Sequence, residues 1–473
     1  MNVLPASSSL PPAPLRRFAL GACMFLITAT FGFLQPFVPL YLEASGLTRA
    51  HIGIVTGVGA GTTLLIQPLL GRLSDRLDAR RPLMIALALV AAFAYEAYRF
   101  VPFSRPGAPF SSSVLVFTLL STLGINGVTY LNVVGGVLIG RMVGTGASSA
   151  STGAGAYARY RVWGSVGYIL VALVTGWLVS RGVGPRSGLP RNELDAVFLW
   201  GPLLFFAIAA VAFFVPDGKR VTGAAPPAPN SGGAGSTMAE RLGVAPGFAG
   251  TGTLAHPELG AGGAAPAAAL RPFLLAFFLY QFGLYGASAY LSLFLKTLGA
   301  QPLAITATFA AGVVCEVLVM TQVGRLTDVY GRRPALAIAF LLMPLRLLLY
   351  IPATGPLWVL AVQTLHGLNF GIMGTIAVAY VNDRATDANR GTLQARLGAA
   401  QGLATAVGPV VCGQIAQYFG IGWMFGAMAF VGVVGAAAFL RRVPESHPTP
   451  ASSEGKGPLL LRPVWRWLAG PAN

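Results

Sequence analysis

The feature that most constrains this chain is a series of apolar runs, each about 20 residues long, that recurs along most of its length. A helix of about 20 residues spans the ~30 Å hydrocarbon core of a bilayer, where every backbone polar group must be satisfied within the segment. We therefore predict an all-α membrane protein with twelve transmembrane helices. The runs lie near 18–42, 51–71, 82–102, 113–140, 158–181, 195–215, 271–295, 303–323, 334–352, 356–381, 396–419 and 422–440.

Charged residues are too scarce to solvate a soluble protein of this size. They make up 10% of the 473 residues, whereas a soluble domain carries roughly a quarter. The net charge of +17 resides in short arginine clusters between the apolar runs, which favours topology signals and lipid contact over a nucleic-acid partner. Cys23, Cys315 and Cys412 form no metal-binding or disulfide pattern, so we expect neither a metal nor a cofactor.

A segment of different composition divides the chain into two parts. Residues 216–270 are dominated by Gly, Ala, Pro and Ser, which is typical of a flexible linker. We therefore predict a six-helix bundle at 1–215, a cytoplasmic linker at 216–270, a second six-helix bundle at 271–442 and a cytoplasmic tail at 443–473, with a short membrane-surface anchor in the tail as an alternative. Arginine and lysine fall mainly on one side of the short loops, which places both termini in the cytoplasm and the protein in the cytoplasmic (inner) membrane.

A short pattern recurs after the second apolar run of each bundle. The first copy contains Gly71, Asp75 and Arg76, and the second contains Gly324, Asp328, Gly331 and Arg332. Glycine permits close helix approach, and the aspartate can meet a helix N-terminus or a neighbouring arginine. The two copies resemble the signature loop of the major facilitator superfamily, although Val329 and Asp78 depart from it. The resemblance implies conformational machinery rather than a substrate site.

Three further segments resemble one branch of that superfamily, which contains lactose permease, nucleoside–proton symporters and phenylpropionate permeases. They are Gln67–Gly71, Tyr157–Tyr168 and Gln363–His366. The most specific part is the stretch aromatic-x-R-x-R-x-aromatic-G-x-x-G-aromatic in the fifth span. We interpret the glycines of that stretch as helix-packing residues rather than as part of a serine nucleophile motif.

Ionisable residues at bilayer depth are costly unless they are paired or hydrated, which makes each one a functional candidate. Counting along the helices places Glu316, Arg346 and His366 near mid-membrane. In lactose permease, matching positions carry a Glu, an Arg and a His, so the resemblance implies roles in substrate binding and proton coupling. The acidic residue that this branch carries one turn after the histidine is Asn369 here. A static buried ion pair between Glu316 and Arg346 is the alternative interpretation.

Polar candidates in other spans depart further from the branch. The resemblance gives Arg161 a role in holding substrate hydroxyls, although snorkelling to the interface is an alternative. Tyr168 stands where lactose permease stacks a tryptophan on its sugar. Asn132 is the nearest candidate for an acidic partner that is otherwise missing in the fourth span. These departures argue against a disaccharide substrate, while Gln281 in the seventh span is a candidate for lining the cavity or for helix contact.

The sequence thus predicts a secondary active transporter that works by alternating access as a monomer. Its partners are the lipid bilayer, a small-molecule substrate and protons, and proton-coupled symport is the preferred mode. A proton-antiport exporter of amphipathic compounds is the alternative. The chain lacks the H-E-x-x-H, G-x-S-x-G and P-loop patterns, so we predict no enzymatic activity. It also has no soluble signalling domain that would indicate a sensor.

Overall fold

The computed structural model describes residues 13–77, 80–103, 112–144, 150–182, 192–214, 270–386 and 389–446. Within these ranges, eleven helices are long and apolar enough to cross a membrane, and a bent pair of helices supplies a twelfth span. Each predicted apolar run coincides with one of these spans, which confirms the prediction of a twelve-helix membrane protein. The predicted linker lies outside the described residues except for Leu270, as does the tail beyond Ser446.

Seven helices form the first six spans, because two short helices follow each other in the sixth. They are α1 (Ala13–Ala44), α2 (Arg49–Leu77), α3 (Arg80–Glu96, extended by a 3-10 turn at Ala97–Phe100), α4 (Ser112–Gly144), α5 (Ala150–Ser180), α6 (Asn192–Trp200) and α7 (Leu203–Ala212). The last six spans are also made by seven helices. These are α8 (Arg271–Ser288), α9 (Leu291–Thr297), α10 (Pro302–Tyr330), α11 (Arg332–Tyr350), α12 (Pro356–Asp383), α13 (Arg390–Tyr418) and α14 (Ile421–Arg442).

The same packing pattern occurs in both groups of six spans. In the first group, α1 packs on α5 and α7, α2 packs on α4, and α3 packs on α4 and α7. The corresponding contacts in the second group are α8 with α13 and α14, α10 with α12, and α11 with α12 and α14. Two six-helix bundles therefore repeat one architecture, and they meet where α2 packs on α13 and α5 packs on α10.

The first glycine and the aspartate of each copy of the recurring pattern lie on a helix rather than in a loop. The predicted second and eighth spans end at residues 71 and 323, but α2 continues to Leu77 and α10 continues to Tyr330. Polar residues at the end of a membrane helix can extend it into water, because the backbone keeps its internal hydrogen bonds there. Helix α10 ends just before Gly331, whose φ of 89° lies in a region that suits glycine and few other residues.

The helix ends lie on two faces of the protein. One face, which we term the arginine-rich face, carries the ends at Leu77, Gly144, Tyr330, Asp383 and Arg442. The other, which we term the closed face, carries the ends at Ala44, Ser180, Thr297, Tyr350 and Tyr418. Positive charge in loops favours the cytoplasm, so we expect the arginine-rich face to be cytoplasmic.

Contacts across the closed face join the two bundles. Lys296 Nζ lies 2.7 Å from Glu43 Oε2. The seventh span bends by 42° between α8 and α9, and Tyr290 at this bend lies with its hydroxyl 3.1 Å from the carbonyl oxygen of Arg49 and 2.9 Å from that of Pro409. Gly53 makes room for this ring, since a methyl group there would lie 2.6 Å from the Tyr290 hydroxyl.

Helix α13 contacts α2 at one level and has open space one turn away. A methyl group at Gly402 of α13 would overlap the side chain of Leu64 on α2, so the two helices touch at that level. One turn nearer the arginine-rich face, a methyl group at Gly398 would meet no atom within 4 Å. At the level of Gly398, α13 therefore has open space beside it, on the arginine-rich side of its contact with α2.

Candidate functional site

Helices α10 and α12 approach closely and carry two of the predicted site residues. A methyl group at Gly367 would lie 2.5 Å from the carbonyl carbon of Cys315 and closer still to the backbone nitrogen of Glu316. One at Gly312 would lie 3.1 Å from Cδ2 of His366. Gly312 precedes Glu316 by one turn, so His366 lies about 6 Å from Glu316 along the axis of α10. The close approach therefore places Glu316 and His366 on neighbouring turns of two tightly packed helices.

Glu316 lines a pocket in the second bundle, which we term the central pocket. Its polar lining residues are Gln281, Tyr285, Glu316 and Gln401. Its larger apolar lining residues include Phe277, Leu284, Met320, Phe370 and Met373. Gly398, which faces open space, also lines it. The pocket therefore combines apolar walls with a small number of polar groups, which is the usual character of a small-molecule site.

Glu316 is half-buried in the pocket and lies near both bundles. It lines the pocket together with Tyr285 of α8, and its helix α10 packs on α5, which carries Tyr168. Tyr168 belongs to the first bundle, where its hydroxyl donates to Gln35 Oε1 at 2.9 Å. Glu316 thus occupies a position from which it can respond to the relative movement of the two bundles.

The glycines of the fifth-span stretch lie against α1. A methyl group at Gly164 would lie 2.7 Å from the hydroxyl oxygen of Thr28, and one at Gly167 would lie 3.0 Å from the carbonyl carbon of Phe25. This close contact agrees with the packing interpretation of these glycines. It also fixes the rotation of α5 that turns Tyr168 toward α1 and the second bundle.

Arg346 and His366 form a buried polar pair behind the pocket. Arg346 is 1% exposed, and its Nη1 lies 2.6 Å from Nδ1 of His366. Arginine remains protonated in proteins, so Nδ1 must accept this hydrogen bond and the ring proton must reside on Nε2. The imidazole also packs on Phe370, a pocket residue, with ring centroids 4.2 Å apart. The described contacts of Arg346 therefore include His366 and the ring of Tyr350 but not Glu316.

Asn369 holds helices together instead of lining the pocket. It is completely buried, and its Nδ2 donates to the carbonyl oxygen of Ala339 at 3.0 Å. The backbone carbonyl oxygen of Asn369 accepts a hydrogen bond from the hydroxyl of Tyr280 at 3.3 Å. Gln281 is 5% exposed and lines the pocket from α8. Of its two predicted roles, lining the cavity and helix contact, this position agrees with the first.

The two remaining candidates of the first bundle are not brought to the pocket by any described contact. Asn132 is half-buried in α4, and no described hydrogen bond joins it to Tyr168 or Glu316. Arg161 belongs to α5, but its side chain lies outside the described residues. Both stay predictions.

The second copy of the glycine–aspartate pattern forms the corner between α10 and α11. Arg332 is 3% exposed, with Nη1 2.6 Å from the Thr327 hydroxyl and Nε 3.4 Å from Asp383 Oδ2. Glu445 accepts the backbone N–H groups of Arg332 and Arg333, each at 2.9 Å. Gly71 lies within α2, whereas the side-chain surroundings of Asp75, Arg76, Gly324 and Asp328 lie outside the described part of the chain.

Three polar residues with defined contacts were not predicted from the sequence. Gln401 lines the pocket, and a lone glutamine within a run of small residues on the eleventh span is a signal that was available. Asp195 is 7% exposed in α6 and accepts a 2.7 Å hydrogen bond from Tyr41. Glu445 gave no signal, because its partners are backbone groups. In the described residues, no cluster of three or more His, Cys, Asp or Glu side chains is arranged to hold a metal ion.

Comparison with known proteins agrees with this architecture. Residues 18–427 match the MFS_1 like family. The maltose permease of Geobacillus stearothermophilus is 24% identical over 409 residues, which cover 85% of this chain and 88% of the permease.

Two solved structures share the fold at low sequence identity. A mutant of the nucleoside transporter NupG has a TM-score of 0.69 at 14% identity, over 90% of this chain and 99% of the other. A D-xylose-proton symporter has a TM-score of 0.64 at 16% identity, over 91% and 99% of the two chains. The family match covers most of the sequence, and the relatives are permeases rather than enzymes. The chain therefore belongs to the MFS_1 like family and is a multi-pass solute transporter of the major facilitator superfamily.

Proposed function

We propose that the protein is a proton-coupled symporter of a small polar or aromatic metabolite. The observation that carries this proposal is the position of Glu316, a carboxyl group that lines the central pocket with Tyr285 and lies on α10, the helix that packs on α5 of the first bundle. A carboxyl group in an enclosed, low-dielectric space binds a proton more readily than one in water. Movement of the bundles changes that enclosure, so proton binding at Glu316 can be coupled to alternating access.

The coupling follows from population shift. Substrate and proton each bind more tightly to one arrangement of the bundles and so change the balance between the two arrangements. The contacts of the closed face, Lys296 with Glu43 and Tyr290 with Arg49, hold the arrangement described here. We propose that this arrangement faces the cytoplasm, that the protein lies in the cytoplasmic membrane with both termini inside, and that it functions as a monomer.

The test is transport in proteoliposomes with an imposed pH gradient and a pH-sensitive dye inside. The panel contains sugars, nucleosides and aromatic acids. We expect one class to drive a proton flux that is lost in Glu316→Gln. Glu96→Gln is the matched control, because Glu96 pairs with Arg99 on α3, away from the pocket. Full pH-driven accumulation by Glu316→Gln would contradict the proposal.

A second candidate is an exporter of amphipathic compounds by proton antiport. The apolar side chains of Phe277, Leu284, Met320, Phe370 and Met373 in the pocket favour it. Cells that lack the protein should then become more sensitive to amphipathic drugs, and expression of the wild type should restore resistance. Proteoliposomes that respond to none of the solutes in the panel, together with this sensitivity, would favour export over symport.

A further inference from the structure

We propose that the second bundle binds an anionic phospholipid at the arginine-rich face. The lipid phosphate binds to four arginines, and the acyl chains lie on the apolar surface beside them. The four residues, which we term the arginine cluster, are Arg271, Arg396, Arg441 and Arg442. They lie apart from the side chains that line the central pocket, so this proposal does not depend on the proposed function.

The arginine cluster is exposed, and its members take part in no described hydrogen bond or ion pair. Two acidic side chains are described at this end of the bundle, and both are engaged elsewhere. Asp383 pairs with Arg332, and Glu445 accepts the backbone N–H groups of Arg332 and Arg333. Helix α8, which begins at Arg271, also has no acidic residue in its first turn. The cluster therefore favours an anion from outside the described part of the chain.

Arg442 lies where α14 packs on α8, at the level of Arg271. A methyl group at Gly435 would lie 3.2 Å from Cβ of Leu279 and 3.4 Å from the carbonyl oxygen of Ala276. Arg442 follows Gly435 by seven residues, so it lies on the same face of α14, two turns nearer the arginine-rich face. Helix α8 begins at this face and α14 ends there. The residue of α8 at the level of Arg442 is therefore about seven positions before this contact, which is Arg271.

Arg396 of α13 lies at the same level. A methyl group at Gly408 would lie 2.8 Å from the carbonyl oxygen of Phe282 and 3.2 Å from the backbone nitrogen of Gly286. Both α8 and α13 begin at the arginine-rich face, so they run parallel. Arg396 lies twelve residues before Gly408, and Arg271 lies eleven to fifteen residues before the turn that Gly408 contacts. The arginines of all three helices are therefore found within about one turn of each other along the membrane normal.

Exposed apolar residues continue from each arginine into the membrane. They share a face with the arginine of their helix, because they lie four, seven or eleven residues from it. These residues are Leu275 after Arg271 on α8, Leu403 and Val407 after Arg396 on α13, and Phe430 and Val434 before Arg441 on α14. None of these five side chains lines the central pocket, so we assign these faces to lipid. A phospholipid covers both the charge and the apolar faces, whereas a soluble anion would cover the charge alone.

Contacts just beyond α14 hold its two arginines in place. Arg333 Nε donates to the carbonyl oxygen of Val443 at 2.7 Å, and the Tyr380 hydroxyl donates to that of Pro444 at 2.9 Å. The chain after Arg442 is thus fastened to α11 and α12. The end of α14 is fixed before a lipid binds, so binding orders less of the chain and loses less conformational entropy.

The test is native mass spectrometry of the purified full-length protein in a neutral detergent. The protein is titrated separately with phosphatidylglycerol, which carries one negative charge, and with uncharged phosphatidylcholine of the same acyl chains. Each arginine near a membrane surface favours an anionic lipid about fivefold in affinity. We therefore expect phosphatidylglycerol to bind at least about 25-fold more tightly than phosphatidylcholine, through two or more members of the cluster.

Variants show whether the arginine cluster causes this preference. Arg271→Gln/Arg442→Gln should reduce it about 25-fold, and Arg271→Lys/Arg442→Lys should keep most of it because the charge remains. The matched control is Arg72→Gln/Arg181→Gln, which removes the same charge. Both control residues are exposed, but Arg72 lies on α2 and Arg181 follows α5, in the first bundle. The control should keep the preference of the wild type.

Three results would overturn the proposal. Equal affinity for the two lipids would do so, and it is the result expected if acidic residues of the chain's own linker, such as Glu258, covered the arginines. An equal loss of preference in the glutamine variant and the control would show diffuse surface charge instead of a site. Displacement of phosphatidylglycerol by an equal concentration of glycerol 3-phosphate would show that the site takes a soluble anion and that the acyl chains contribute nothing.

Discussion

Replacing Gly367 by alanine tests the contact that places Glu316 beside His366. The added methyl group would lie 2.5 Å from the carbonyl carbon of Cys315, whereas carbon atoms in contact prefer about 3.5–4.0 Å. The overlap is about 1 Å, and it is with helix backbone, which cannot rotate away as a side chain can. Helix α12 must therefore move away from α10 by about that distance.

The cost follows from two opposing effects. Overpacking of a tight interior typically costs about 1–3 kcal/mol. Alanine is a better helix former than glycine by up to about 1 kcal/mol. We expect a net loss of about 1–2 kcal/mol in the free energy of unfolding. Transport should fall more steeply, because a displacement of about 1 Å at a binding site can cost up to about 100-fold.

The assay is the thermal unfolding midpoint together with solute uptake in proteoliposomes. Gly426→Ala is the matched control, since Gly426 lies within helix α14, outside the pocket, and its methyl group would meet only Ile351, at 3.9 Å. The control should match the wild type or exceed its stability, and Gly367→Ala should fall below both. Equal stability and uptake in the two variants would refute the close packing of α10 on α12.

The remaining predictions concern contacts away from the pocket. Tyr290→Phe removes the hydroxyl that contacts Arg49 and Pro409 at the closed face, a contact worth about 1 kcal/mol. The fraction of molecules that are open at the closed face should therefore rise about fivefold. Unchanged chemical labelling of a cysteine introduced below that face would contradict this. Lys296→Gln breaks a half-exposed ion pair worth at most about 1 kcal/mol, so its effect on the same labelling should be smaller and should vanish at high salt. Glu445→Gln removes a negative charge from the N-terminus of α11 and should lower the unfolding free energy by about 0.3–1 kcal/mol; a midpoint equal to that of the wild type would show that Glu445 does not stabilise this corner.

Lipid explains why the spans could be predicted from the sequence. A bilayer requires apolar helices of about 20 residues, so composition alone located every span to within a few residues. The same constraint predicts the depth of Glu316, Arg346 and His366, since rise per residue is fixed in a helix. The duplicated pattern at Gly71 and Gly324 also identified the superfamily, because two copies at matching positions are far less common than one.

Counting residues along the sequence predicts neither the rotation of a helix about its axis nor a bend within it. Depth does not say which way a side chain points, so the sequence left Glu316 as a possible partner of Arg346, whereas the structure pairs Arg346 with His366. The bend at Tyr290 was also missed, because the seventh apolar run continues across it without proline. Glu445 was assigned to a featureless tail, since its partners are backbone N–H groups that carry no sequence signal.

In the proposed mechanism, Glu316 is the group that carries the coupled proton. The decisive measurement compares two modes of transport by Glu316→Gln in the same proteoliposomes: accumulation driven by a pH gradient, and exchange of labelled for unlabelled solute without one. We predict that accumulation is lost while exchange continues, because exchange needs the substrate site but no net proton movement. Accumulation at the level of the wild type would contradict the assignment, and the coupling proton would then have to bind elsewhere.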